Sequence, residues 1–150
     1  MRVFLDTTVV IDDLQNREPW VQDSKMIFHA VASKEFIGCI TTKQLADIHY
    51  FSRKTLKGQD HIDKQARVIT RNLLILFELV DTLAIDCKNA YNIMNGDYED
   101  AILIATAERE SADYIITRNP DHFKVSTIPI LSPSEFVLIL YPKDTENDSQ

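Results

Sequence analysis

Glycine is almost missing. The 150 residues hold three, at positions 38, 58 and 96, too scattered for a glycine-rich phosphate loop or a dinucleotide-binding fingerprint. No Gly-x-Ser-x-Gly elbow occurs, which removes one common hydrolase class. The two cysteines, Cys39 and Cys87, make neither a disulfide framework nor a paired zinc-ligand motif. They read as buried, reduced thiols of a cytoplasmic protein. Four histidines (His29, His49, His61, His122) never stand four apart, so a helical zinc site is not expected. Long apolar runs are absent too: the longest is six residues, Phe136 to Tyr141. A membrane-spanning helix needs about 18, so no membrane association is expected. The start does not read as a secretory leader, because Asp6 interrupts the chain after only Val3-Phe4-Leu5.

What is present is ordinary in bulk and acidic in balance. Hydrophobic residues are 45% and charged residues 26%, close to the average of globular domains. A chain of this length forms one domain and buries about 70% of its unfolded surface, without disulfides or a structural metal. The domain is expected to span residues 1–141. The acidic stretch 142–150, which has no large apolar residue, is expected to be a disordered tail. Asp and Glu number 23 against 16 Lys and Arg, a net charge of −7. Such a balance weighs against simple electrostatic binding of nucleic acid. It weighs less if the acids surround a cation.

Along the chain, short apolar runs alternate with helical patterns. Arg2–Leu5 reads as a buried strand ending at Asp6, with one helical turn at Asp12-Asp13-Leu14. Pro19-Trp20 opens a helix to about Ser33. A strand at Phe36–Ile40 follows, and Thr41-Thr42-Lys43-Gln44 forms a capping box for a helix to about Leu56. Asp60 is read as the cap of a long helix whose apolar face is Ile62, Ala66, Ile69, Leu73 and Leu76. A strand at Leu79–Leu83, a helix at Asp86–Met94 closed by Gly96, and a nearly all-apolar helix beginning after Asp97 come next. Tyr114–Thr117 and an edge strand at Ile128–Leu131 precede a final helix capped by Ser132-Pro133-Ser134-Glu135. Continuous apolar strands alternating with helices give an α/β fold: a central, mostly parallel sheet between layers of helices.

Ligands of open α/β sheets bind beyond the carboxyl ends of the strands. That rule selects Asp6 directly after the first strand and Asp47 in the second turn of the helix after the second. It also selects Asp100 in the first turn of the buried helix, and Asn119 and Asp121 just after the fourth strand. Alone, Asp6 also reads as a strand-end turn residue, Asp47 as a surface acid and Asp121 as a turn residue. Asp97 and Glu99 are accounted for by the positive end of their helix. Asp100 differs, because it shares a stripe with Leu103, Ile104 and Ala107, where a carboxylate is costly unless paired or metal-bound. As a set, oxygen ligands without His or Cys suit Mg²⁺ or Mn²⁺. A cation offsets their mutual repulsion and supports hydrolysis of a phosphodiester. Between Arg53 and Arg71 six bases stand against two acids, and Lys64, Arg67 and Arg71 share one helical face. That face is either a solvated exterior or a contact for a phosphate backbone.

These residues resemble the PIN-domain family of metal-dependent ribonucleases, over residues 2 to about 138. The resemblance is carried by Val3-Phe4-Leu5-Asp6-Thr7-Thr8, by Asp47 after Ile40-Thr41-Thr42, by Glu99-Asp100-Ala101-Ile102-Leu103, and by Asp113-Tyr114-Ile115-Ile116-Thr117-Arg118-Asn119 with Asp121-His122-Phe123. The stretch from Thr42 to Lys54 resembles a bacterial branch of the family. The resemblance implies a three-layer α/β/α sandwich with Asp6, Asp47 and Asp100 as the catalytic acids. It implies Mg²⁺ or Mn²⁺ held mainly by Asp6 and Asp100, with Asp121 the carboxylate nearest to where many relatives place a fourth acid. Thr8 and Asn119 fall at substrate-facing positions. Bacterial members are often VapC-type toxins that cleave RNA, dimerise and are held inactive by a small antitoxin protein. Three positions depart from the pattern: Thr8 for Asn or Ser, Asp47 for Glu, and the amide Asn119 for an acid. The last bears on a second metal site. The first expectation is therefore a Mg²⁺- or Mn²⁺-dependent endoribonuclease of a toxin–antitoxin pair. The alternative is a catalytically weak PIN-fold module that binds RNA or protein. A phosphatase with Asp6 as nucleophile ranks below both, because Thr8 stands where a second Asp is needed.

Overall fold

In the computed structural model, residues 1–93 and 96–143 are described. The acidic tail beyond 143 and Met94, the expected end of a helix, lie outside them. Five strands form one sheet: β1 (Arg2–Leu5), β2 (Ile37–Thr41), β3 (Glu78–Val80), β4 (Tyr114–Ile116) and β5 (Ile130–Leu131), in the order β3-β2-β1-β4-β5. All four pairings are parallel. β1 is central, with Phe4 opposite Cys39 on one side and Ile115 on the other. Its alternating side chains divide the core: Val3 and Leu5 face one apolar cluster and Phe4 the other.

The first cluster is closed by α1 (Thr7–Leu14), α2 (Val21–Ala32), α3 (Thr42–Thr55), α4 (Ile62–Leu76) and α7 (Pro133–Leu140). The second is covered by α6 (Tyr98–Arg109), through Leu103, Ile104 and Ala107. α5 (Ala84–Tyr91) packs outside it on Ala101, Ile102 and Ala105. The result is a three-layer α/β/α sandwich with a fully parallel sheet. Gly38 sits where layers meet most closely: a Cβ there would lie 2.9 Å from Phe77 and Val31 side-chain atoms.

Local chemistry sets several boundaries away from their expected places. α1 starts at Thr7 and not at Asp12, because Val9 and Val10 are completely buried and packing overrides their weak helical preference. α2 begins at Val21, past Pro19. α4 is capped by His61 in the left-handed region at φ 56°, not by Asp60, whose carbonyl accepts from Gln65 Nε2 at 2.7 Å. β3 ends at Val80, where side chains take over the backbone groups. Arg109 donates to the Asp81 carbonyl at 2.8 Å, and the Thr82 N–H donates to Thr42 Oγ1 at 3.0 Å. α5 begins before Asp86 because that carboxylate accepts the Leu83 N–H at 2.8 Å from inside the first turn. The capping boxes at Thr41/Gln44 and Ser132/Glu135 form as expected.

Candidate active site

The carboxyl ends of β1 and β2 and the N-termini of α1, α3 and α6 border a cleft of about 490 Å³. Asp6, Thr8, Asp47, Asp100 and Asn119 all line it. Asp6 leaves β1 as the extended N-cap residue of α1, but its side chain does not cap the helix. Instead one carboxylate oxygen, Oδ2, accepts the hydroxyls of Thr117 at 2.8 Å and Thr8 at 3.0 Å. Asp6 is 7% exposed. Burial pushes its pKa above the ordinary carboxylate value, and the two threonines oppose that shift.

Asp100 enters from the first turn of α6, and His122 Nδ1 pairs with its Oδ2 at 3.0 Å. Burial and then the charge of Asp6 push its pKa up to about 6, against the pull of His122. Asp6 thus acts on Asp100 from a different element, 94 residues away in sequence. A carboxylate whose ionisation is hindered by the charge of another marks a place where positive charge is favoured.

Asp47 is placed differently. Lys43 Nζ lies 2.5 Å from Asp47 Oδ2 and 3.1 Å from Glu99 Oε1, so one ammonium ties α3 to α6. Partial burial lowers the Lys43 pKa, but its hydrogen bonds to Asp47 and Glu99 outweigh that and leave it raised. Asp97 acts as the helix cap expected of it, accepting the Glu99 N–H at 2.9 Å.

Asp121 lies outside the cleft. Its side chain is 82% exposed and pairs with Lys124 at 3.1 Å. Lys64, Arg67 and Arg71 form a separate exposed surface with Asp63 and Val68 on α4. The Thr8 hydroxyl is engaged with Asp6.

Several residues in or beneath the cleft escaped the sequence reading. Buried Thr117 both donates to Asp6 and accepts the Asn119 N–H at 3.0 Å. Gln44 is more than a capping residue, since its Nε2 donates to the Leu5 carbonyl at 2.7 Å at the end of the central strand. His122 gave no spacing signal, whereas Lys43 and Asp47 stand at i and i+4, a spacing that marks a pair on one helix face. Behind the site, Arg118 pairs with buried Asp12 at 2.9 Å and stacks on Trp20 at 3.9 Å. Its charge also reaches Asp6.

A sequence model of the family described as PIN domain matches residues 2–121. The chain belongs to the PIN-domain family. Solved structures agree at the level of the fold. FitAcB from Neisseria gonorrhoeae superposes with a TM-score of 0.63 at 18% identity, covering 88% of this chain and 98% of that one. DNA-bound VapBC from Salmonella typhimurium gives 0.64 at 16% identity, covering 89% and 98%. VapC20 from Mycobacterium tuberculosis, a toxin that cleaves the sarcin-ricin loop, gives 0.58 at 13% identity, covering 75% and 86%. A comparison with curated protein sequences finds no match. Among the described residues, no helix of this PIN domain is long and apolar enough to cross a membrane.

Proposed function

We propose that this PIN domain is a Mg²⁺- or Mn²⁺-dependent endoribonuclease, the toxin of a toxin–antitoxin pair. The observation that carries the reading is the Asp6–Asp100 couple: a buried and a half-buried carboxylate from separate elements lining one cleft, with burial and then the charge of the first raising the pKa of the second to about 6. The donor set fits a hard cation. Among the described residues no three His, Cys, Asp or Glu side chains group to hold a metal, but Mg²⁺ takes one or two carboxylates and keeps several waters. Asp6 and Asp100 are its ligands in this reading. When bound, the ion supplies Lewis acidity toward a phosphoryl oxygen and makes water a stronger acid at neutral pH.

The chain's own residues do the rest. Thr8 and Thr117 fix the orientation of the Asp6 carboxylate, and His122 fixes that of Asp100. Asp47 completes the acidic wall, and Asn119 offers an amide to the substrate. Lys64, Arg67 and Arg71 contact the RNA backbone at a distance from the acids. Structures similar to this chain are toxin–antitoxin assemblies, which supports a small antitoxin as partner. A homodimer is part of the same reading, as is a cytoplasmic location.

The test is RNA cleavage by purified protein with Mg²⁺ or Mn²⁺, against chelator and against Asp6→Asn and Asp100→Asn purified identically. Each substitution is expected to reduce cleavage at least 100-fold with the fold intact. Metal-independent cleavage, or an unchanged rate in either variant, would overturn the assignment. Absence of both cleavage and Mn²⁺ binding would instead favour a binding module.

A further inference from the structure

Lys43 is out of place by the rules of helices. It lies in the first turn of α3, where the macrodipole already supplies positive charge and disfavours a cation. Its side chain is held there by two carboxylates, Asp47 at 2.5 Å and Glu99 at 3.1 Å. The acids of the cleft therefore fall into distinct groups. Asp47 and Glu99 share an ammonium. Asp97 is engaged with the N–H of Glu99. Asp6 and Asp100 are held by hydroxyls and by a histidine, and among the described residues neither has a Lys or Arg within ion-pair distance.

A second divalent ion in this cleft needs further carboxylates, because two-metal sites clamp both the attacking and the leaving oxygen with shared acidic ligands. Besides Asp97, one oxygen of which caps α6, the remaining cleft acids are Asp47 and Glu99. An ion arriving there meets an ammonium that repels it and breaks two ion pairs to bind.

We propose that Lys43 stands in for a second metal ion, so that the cleft takes one divalent cation, on Asp6 and Asp100, and keeps a protein-borne positive charge where a second cation would sit. This rests on the reading of the cleft as a metal site. The lysine contributes a charge that needs no free metal. Lys43 lines the same cleft as Asp6 and Asp100, so a phosphate entering it would meet a preorganised ammonium as well as the cation those two acids would hold.

Counting bound ions tests this without reference to activity. Mn²⁺ is titrated into the full chain, and free ion is read by its electron paramagnetic resonance signal. Wild type is expected to bind one ion per chain and Lys43→Arg also one. Lys43→Met is expected to bind two, the second more weakly. Adding Asp47→Asn to Lys43→Met should return the count to one. Circular dichroism checks the fold of each variant; if Lys43→Met does not fold, Lys43→Gln carries the same expectation. One ion on wild type and still one on a folded Lys43→Met or Lys43→Gln overturns the role of Lys43 alone. Two ions on wild type overturn it without any variant. No ion on wild type overturns the metal site itself, and this proposal with it.

Discussion

Asp86 and Asp100 are carboxylates driven in opposite directions by their neighbours. Burial and the charge of Asp6 raise Asp100 to about 6. In metal-free protein the folded state thus holds this proton more tightly than the unfolded chain, whose value is about 3.9. Its contribution to stability is present below about pH 4 and is lost as pH rises toward 6. Asp100→Asn is therefore expected to stabilise the metal-free fold at pH 7 by about 1–2 kcal/mol, with little gain near pH 4. Urea unfolding in chelator across that range checks this, and no gain at pH 7 would contradict the repulsion. Asp86 is completely buried. Burial alone would raise its pKa, but Arg109 at 2.8 Å and the Leu83 N–H outweigh it and leave the pKa lowered. Its stabilisation is full above about pH 4 and disappears as pH falls through the lowered value. Asp86→Asn should cost about 3 kcal/mol at neutral pH, shrinking toward pH 3; a loss independent of pH would deny the ion pair. At this scale the acids were legible because a carboxylate after a strand or on an apolar stripe announces itself. The groups that hold them were not: Thr117, His122 and Lys43 are ordinary residues whose roles depend on which strands pair.

At the scale of elements, the capping boxes of α3 and α7 were readable because cap chemistry is local. The alternation of strand and helix likewise gave the parallel sheet. α1 was read as a single turn, because Val9, Val10 and Ile11 carry no helical preference and take their conformation from burial. The start of α5 was missed because Asp86 caps from within the helix rather than ahead of it. Gly38 reveals how closely β2 approaches its covering helices. The methyl group of Gly38→Ala would meet Phe77 and Val31 at 2.9 Å. The expected cost is about 1–3 kcal/mol of stability, seen as a lower thermal midpoint with cleavage per folded molecule unchanged. A neutral substitution would mean that Phe77 moves aside freely.

For the molecule as a whole, charge is unevenly spread. The chain carries a net charge of −7, with five acids lining the cleft, while Lys64, Arg67 and Arg71 form a basic face elsewhere. If that face positions RNA, reversing the three charges should weaken binding at least tenfold and flatten its dependence on salt, since fewer counterions are released. Equal affinity and an equal slope in fluorescence titrations would make it a solvated exterior. The acid site and this face were both visible in the sequence, but the distance between them was not, because nothing local encodes it.

The central strand has a consequence in time. β1 is made well before its partner β4, and the Thr117 hydroxyl that orients Asp6 lies 111 residues further along the chain. Until β4 and Thr117 have been made, the cleft cannot close, because one side of it has no sequence yet. Residues 2–5 must wait, paired on one side only, until residues 114–116 have been made. A site assembled this way gives the emerging chain its first acid long before the hydroxyl that aims it, so the cleft stays inert until residue 117 has joined the fold.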